Sequence, residues 1–187
     1  MFFLVTRVCS ATSSAAKEST MLPKKILFCA DFSENSLPAQ EYAIDFASAL
    51  GADLAILHVI NSSRIGYPSL EAGVPLDISA MLQNMTQAAE QALSLTAQTC
   101  YPRLKTVETF TRVGNPSVEI VRFAKAHRVG LIIVGSHGWT GWKHLLMGST
   151  AENVIRSAPC PVLTVRSHQC PEIVPPAMCG KSQTEFK

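Results

Sequence analysis

Residues 131–152 read Leu131-Ile132-Ile133-Val134-Gly135-Ser136-His137-Gly138-Trp139-Thr140-Gly141-Trp142-Lys143-His144-Leu145-Leu146-Met147-Gly148-Ser149-Thr150-Ala151-Glu152. The first four residues form the most apolar run of the chain. A short continuous run of this kind marks a strand covered on both faces. A glycine-containing loop follows, then a short helix from about Thr150 to Ser157 and a last strand, Val162–Val165. The central strand of a parallel sheet is therefore read at Leu131–Val134.

The same alternation extends upstream. Ile26-Leu27-Phe28-Cys29-Ala30 and Leu54-Ala55-Ile56-Leu57-His58-Val59-Ile60 are two more buried strands. Between them lies a polar turn, Asp31 to Ser36. Ala39, Tyr42, Ala43, Phe46, Ala47 and Leu50 then recur at helical spacing, and Gly51 supplies the stop. A long loop from Asn61 to about Pro75 leads to Ile78, Leu82, Met85, Ala89, Ala92, Thr96 and Thr99, which trace one face of a long helix. Thr106 to Val113, with Glu108 and Arg112 bracketing Phe110, reads as an edge strand with one wet face. Pro116 opens a third helix carrying Ile120, Val121 and Ala124. The order β-α-β-α-β-α-β-α-β implies an α/β domain with a parallel sheet, helices on both faces and right-handed crossovers. Ligands of such sheets sit at the carboxyl ends of the strands, so the loops after Ala30, Val59 and Val134 are the places to search.

Composition narrows the function. The chain has 187 residues, 47% hydrophobic and 16% charged, with a net charge of +2. Its charged fraction is below the roughly 25% of an ordinary domain while its apolar content is normal, which excludes disorder of the whole chain. Near-neutrality removes the basic footprint of a nucleic-acid binder. No run approaches the ~18 apolar residues of a membrane span. The six cysteines, Cys9, Cys29, Cys100, Cys160, Cys170 and Cys179, form no CxxC and read as scattered reduced thiols of a cytoplasmic protein. The five histidines contain no HxxxH or HExxH, so no metal site is expected.

The ends differ from the middle. Residues 1–20 fail as a secretory signal because their apolar run, Met1–Val5, is too short and follows no basic residue. Arg7, several Ser and Thr, and no acid before Glu18 fit an organellar transit peptide weakly. Residues 1–21 are read as a disordered or mispredicted extension, with Met21 as an alternative start. Residues 168–187, with Pro171, Pro175, Pro176 and Gly180, read as a loose tail. The domain spans 22–167.

The loop after Val134 is neither a Walker A sequence nor a dinucleotide fingerprint. It nevertheless holds the ingredients of an anion site. Gly135 and Gly138 let backbone N–H groups approach closely. Gly148-Ser149 stands before a helix, whose unpaired N–H groups and positive dipole end attract phosphate. The plainer alternative is that the glycines only turn the chain and that Ser149 with Glu152 forms a capping box. Lys143 and His144 could reach phosphate oxygens or simply face solvent. Trp139 and Trp142 could be packing anchors or part of a partner surface.

Gly135-x2-Gly138-x9-Gly148-Ser149 resembles the G-2x-G-9x-G-[S/T] signature of the universal stress protein family. The flanks resemble it too: Lys24-Lys25-Ile26-Leu27 with Asp31-Phe32-Ser33, the strand end Leu57-His58-Val59, Gly114-x-Pro116, and Ala151-Glu152-Asn153-Val154-Ile155 leading to Cys160-Pro161-Val162-Leu163. The resemblance covers residues 22–167. It implies a three-layer, Rossmann-like sheet of five parallel strands in the order 3-2-1-4-5, related to the adenine-nucleotide α-hydrolases, and a homodimer paired through Val162–Val165. It also implies ATP as ligand, with Mg²⁺ at most a phosphate counter-ion. Carried over by position, Asp31 would bond the ribose, Ala30 and the main chain of Val59 would flank adenine, and Val134 would line the pocket. Gly135, Gly138, Gly148, Ser149 and Thr150 would hold the phosphates. One departure is Cys29-Ala30-Asp31, where the family often has Pro-[Thr/Val]-Asp. Asp31 itself has a plainer reading as a turn-opening residue that accepts backbone N–H bonds.

Phosphoryl transfer needs metal ligands, a residue positioning the nucleophile and a cation on the developing charge. The motif supplies backbone donors but no paired carboxylates. The expected function is a stress-response module that binds ATP with slow or no hydrolysis. The alternatives are a nucleotide hydrolase or autophosphorylating protein, and a nucleotide-free dimeric scaffold.

Overall fold

A computed structural model of the chain describes residues 22–64, 77–136 and 147–166. Its elements are β1 (Lys25–Cys29), α1 (Leu37–Leu50), β2 (Asp53–Asn61), α2 (Ile78–Cys100), β3 (Val107–Gly114), α3 (Pro116–Ala126), β4 (Leu131–Gly135), α4 (Ser149–Ser157) and β5 (Val162–Val165). Short 3₁₀ turns stand at Glu34–Ser36, between β1 and α1, and at Ser62–Arg64, directly after β2. The five strands form one parallel sheet in the order β3-β2-β1-β4-β5. This is the order implied by the family resemblance.

Side-chain alternation explains why the central strands are unbroken apolar runs. Ile133 faces one core with Ile26, Phe28, Leu54 and Ile56, under α1 and α2. Ile132 and Val134 face the other with Leu27, Ala55 and Leu57, under α3 and α4. Ile26, Leu27, Ile56, Ile132 and Ile133 are fully buried. Each such side chain contributes about 1.5–3 kcal/mol relative to exposure. β3 stands at one edge and β5 at the other, so β3 keeps an exposed face, as its charged residues foretold.

The helices occupy the expected spans, but two present different faces to the sheet. In α1 the buried residues are Ala39, Ala43, Ile44 and Ala47, while Tyr42 and Phe46 stand 36% and 38% exposed. Small side chains bring the helix close to the strands, and the large residues on the flank are left at the rim. Gly51 ends the helix in the left-handed conformation, φ 60°. In α2 the buried stripe is Ala89, Leu93, Ala97 and Cys100, one residue round from the stripe read in the sequence. Thr96 sits at the boundary with its hydroxyl donating to the Ala92 carbonyl, and Thr99 is turned outward to receive Gln40. Satisfying the hydroxyls locally lets threonines border a core without filling it.

The N-terminus of α4 also differs from the sequence reading. The cap position is Gly148 (φ −56°, ψ 140°), with no side-chain cap. Ser149 is the first helical residue, and Glu152 pairs with Arg156 one turn on rather than reaching back. There is no capping box, because the helix begins one residue too early for Ser149 to stand at the cap position.

Candidate functional site

A cleft of about 340 Å³ opens at the carboxyl ends of the strands, between the ends of β1, β2 and β4 and the first turn of α4. Volumes of this order suit small-molecule ligands. Strand order reverses here, since β1 has β2 on one side and β4 on the other.

At the β1 end, Ala30 and Asp31 line the cleft. Asp31 Oδ1 accepts from both the Ser33 amide (3.0 Å) and the Ser33 hydroxyl (2.7 Å). The residue is therefore a turn-opening aspartate, and its carboxylate is oriented by that turn. Phe32 takes the left-handed conformation, φ 58°, and its ring stacks on His58 at 4.4 Å between centroids. His58 lines the cleft, and its Nδ1 lies 2.8 Å from the Ala30 carbonyl. A carbonyl oxygen only accepts, so Nδ1 carries the proton and donates. Burial lowers the His58 pKa from its ordinary value, against the opposing pull of the Ala30 bond and the Asp31 charge. The ring is neutral at neutral pH.

At the β2 end the ladder geometry exposes Val59. The Ala30 amide donates to the Leu57 carbonyl, and the β1–β2 register closes at Cys29 opposite Leu57. In a parallel ladder alternate residues direct their peptide groups to the same neighbour. Val59 shares the parity of Leu57, so its N–H and C=O face the space beyond the end of β1, into the cleft.

At the β4 end, Val134 and Gly135 form the floor. Across from them are Gly148, Ser149 and Thr150. The Gly148 amide donates to the Ser136 carbonyl (2.8 Å), and the helical ladder starts with the Glu152 amide on the Gly148 carbonyl (3.0 Å). The first turn of α4 thus opens into the cleft with its N–H groups and dipole uncovered by a cap. α3, whose Pro116 also lines the cleft, has its end closed by Asn115 Oδ1 on the Ser117 and Val118 amides.

The structure therefore gathers Ala30, Asp31, Val59, Val134, Gly135, Gly148, Ser149 and Thr150 around one cavity. Gly138, with Trp139, Trp142, Lys143 and His144, lies outside the described residues. So do residues 1–21 and the tail from residue 167, with most of the Asn61–Pro75 loop. Sequence reading passed over Ser36, Asn61, Met85 and Ile120, which also border the cleft. It passed over the His58 side chain as well, although a histidine interrupting the apolar Leu54–Ile60 run was a visible signal. Cys29, in the cleft wall, is held as a neutral thiol because burial raises its pKa strongly, with the nearby Cys160 adding to the effect. Among the described residues no cluster of His, Cys, Asp or Glu could hold a metal ion, and no helix is long and apolar enough to cross a membrane.

Residues 23–166 match the model of the universal stress protein family. The chain belongs to that family. Universal stress protein MJ0531 of Methanocaldococcus jannaschii is 34% identical over 155 residues, covering 82% of this chain and 88% of that one. Universal stress protein MJ0577 of the same organism is 31% identical over 157 residues, 79% of this chain and 97% of that one. A solved structure of MJ0577 matches with a TM-score of 0.68 at 33% identity, over 77% of this chain and 96% of that one. A universal stress protein of Archaeoglobus fulgidus, solved in complex with dAMP, shares the fold at a TM-score of 0.55 and 20% identity, over 78% and 99% of the two chains.

Proposed function

We propose that this universal stress protein binds ATP in the cleft and turns it over slowly or not at all, so that the nucleotide acts as a ligand reporting the state of the cell. One observation carries the reading: residues from three strand ends and one helix start, separated by up to 120 positions (from Ala30 to Thr150), line a single cavity bordered on one side by a helix N-terminus with no side-chain cap. The dAMP complex of the Archaeoglobus protein supports the choice of an adenine nucleotide.

In this arrangement the base lies against Ala30 and the Val59 peptide groups, and the ribose hydroxyls bond to Asp31. Val134 supplies apolar contact. The phosphates rest on Gly135, Gly138 and the amides of Gly148, Ser149 and Thr150, where backbone donors and the helix dipole suit an anion. The donor set fits phosphate and does not fit a cation, so Mg²⁺ enters only as a counter-ion held by the phosphates themselves. Asp31 is the one carboxylate among the described lining residues, and it is engaged by Ser33. With no second carboxylate to place a metal or orient water, phosphoryl transfer lacks its main parts.

Two further parts of the reading rest on the sheet edge and the thiols. The open edge of β5 suits antiparallel pairing with a second copy across a two-fold axis. Cys29 and Cys100 are free and buried, which suits the reducing cytoplasm. Mass spectrometry of small molecules released from the purified protein tests the central point: ATP or another adenine nucleotide at near-stoichiometric yield is expected. No released nucleotide together with no thermal shift on adding ATP would overturn it.

A further inference from the structure

We propose that His58 is a positioning residue of the nucleotide site, which ends the β1–β2 ladder so that the Val59 N–H remains available to the base. The inference rests on the ATP-binding reading above and identifies what holds that end of the cleft in its binding form.

The geometry is specific. One further step of the parallel ladder would pair the Val59 N–H with the Ala30 carbonyl, because Val59 follows Leu57 in parity and Ala30 follows Cys29. That carbonyl is instead taken by His58 Nδ1–H at 2.8 Å. The same ring stacks on Phe32, whose left-handed backbone turns the chain out of the sheet immediately after Asp31. His58 therefore satisfies the carbonyl, blocks the extra rung and supports the corner that carries Asp31. An apolar residue would serve the fold as well or better. Leu54, Ile56 and Ile60, at the same parity on β2, are all apolar and buried, whereas the half-buried His58 ring bears a desolvation cost. A polar ring at this one level is explained by the carbonyl it must hold.

Without His58, the donor that the ladder register brings next to the Ala30 carbonyl is the Val59 N–H. The ladder then gains a rung, the group that reads the base is consumed, and Asp31 is drawn toward the sheet. A merely structural role gives a different pattern, in which stability and binding fall together. Asparagine, whose Nδ2–H₂ stands near the place of the imidazole Nδ1–H, serves as the conservative replacement.

The test compares wild type, His58→Asn and His58→Leu in the full-length protein by calorimetric titration with ATP, thermal unfolding and amide exchange without nucleotide. His58→Leu is expected to lose at least tenfold in ATP affinity with unfolding temperature unchanged or raised, and its Val59 amide is expected to become protected from exchange. His58→Asn is expected to stay within about threefold of wild type in affinity and to keep Val59 unprotected. Equal affinity for wild type and His58→Leu, or an unprotected Val59 amide in His58→Leu, would overturn the inference. A wild type that fails to bind ATP would instead overturn the nucleotide reading, and the exchange of Val59 would still decide the ladder.

Discussion

The amide of Gly148 donates to the carbonyl of Ser136 at 2.8 Å, joining the exit of β4 to the entry of α4 at the rim of the cleft. This bond fixes where the first turn of α4 points. Ser136 is itself tied back, its amide bonding to the Val165 carbonyl at the end of β5. The helix N-terminus is thus anchored to the two strands that form one end of the sheet.

That anchoring permits a substitution that removes a proposed phosphate donor without removing the helix. Gly148 has φ −56° and ψ 140°, the extended geometry that a following proline requires. Ser149 is the first helical residue, where proline is well tolerated. Ser149→Pro is expected to fold with an unfolding temperature close to wild type. It is expected to weaken ATP binding about 10- to 100-fold, the worth of one charge-assisted hydrogen bond. Calorimetric titration checks this, and unchanged affinity would move the phosphates away from α4.

The turn bonds of Asp31 and the ribose contact proposed for it can be separated. Asn keeps a side-chain oxygen for the Ser33 amide and hydroxyl, whereas Ala removes both bonds. Asp31→Ala is expected to cost about 0.5–1.5 kcal/mol of stability per hydrogen bond lost, and Asp31→Asn much less. Both variants are expected to weaken ATP relative to 2′,3′-dideoxy-ATP, which lacks the hydroxyls assigned to Asp31. Urea denaturation and paired titrations with the two nucleotides check the two halves.

His58 gives the stability a pH dependence of known sign. Burial holds its folded pKa below the ordinary 6.5. Below that value the unfolded chain takes up a proton that the folded chain resists, so stability falls as pH drops through 6.5 toward the folded pKa. Above 6.5 the ring is neutral in both states and contributes no slope. Unfolding midpoints measured between about pH 5 and pH 8 are expected to show this loss in wild type and a flatter profile in His58→Asn.

At the other end of the sheet, Gly130 lies against Pro23. A Cβ on Gly130 would fall 2.8 Å from the Pro23 Cα and Cβ, against backbone that cannot swing away. Gly130→Ala is expected to cost about 1–3 kcal/mol while ATP affinity stays at the wild-type value. Chemical denaturation with a parallel titration checks both, and lost binding would show that the cleft is coupled to the far end of the sheet.

The edge of β5 is tested by parity. The carbonyls of Pro161 and Val165 accept from the amides of Ile132 in β4 and Ser136 just beyond it, so Thr164 directs its peptide groups outward. Thr164→Pro removes an outward N–H at an edge position, where proline is tolerated. Sedimentation equilibrium is expected to give a dimer for wild type and a monomer for Thr164→Pro at micromolar concentration.

Most of the fold was legible in the sequence because a two-sided sheet demands continuous apolar strands. Leu131–Val134 could not have been read as a half-wet strand, and it lies beside β1 at the centre. Helix faces were less legible. Tyr42 and Phe46 share an apolar arc with Ala43 and Ala47, and only the close approach of the helix to the strands selects the small residues. The glycine spacing pointed to the end of the cleft where Gly148 and Ser149 lie, while the start of α4 one residue earlier than read, which takes Ser149 out of the cap position, leaves no local trace. The role of His58 was hidden for a different reason. It depends on where the β1–β2 ladder stops, a property of two strands that neither strand's sequence contains.

The most direct test of the proposed nucleotide site is an ATP titration of the ¹⁵N-labelled protein followed by amide chemical shifts. Val59 and Asp31 at one end and Ser149, Thr150 and Ala151 at the other are expected to shift together on a single saturable curve. Their shifts failing to respond, or the two ends saturating at different ATP concentrations, would contradict a single site spanning from β2 to α4.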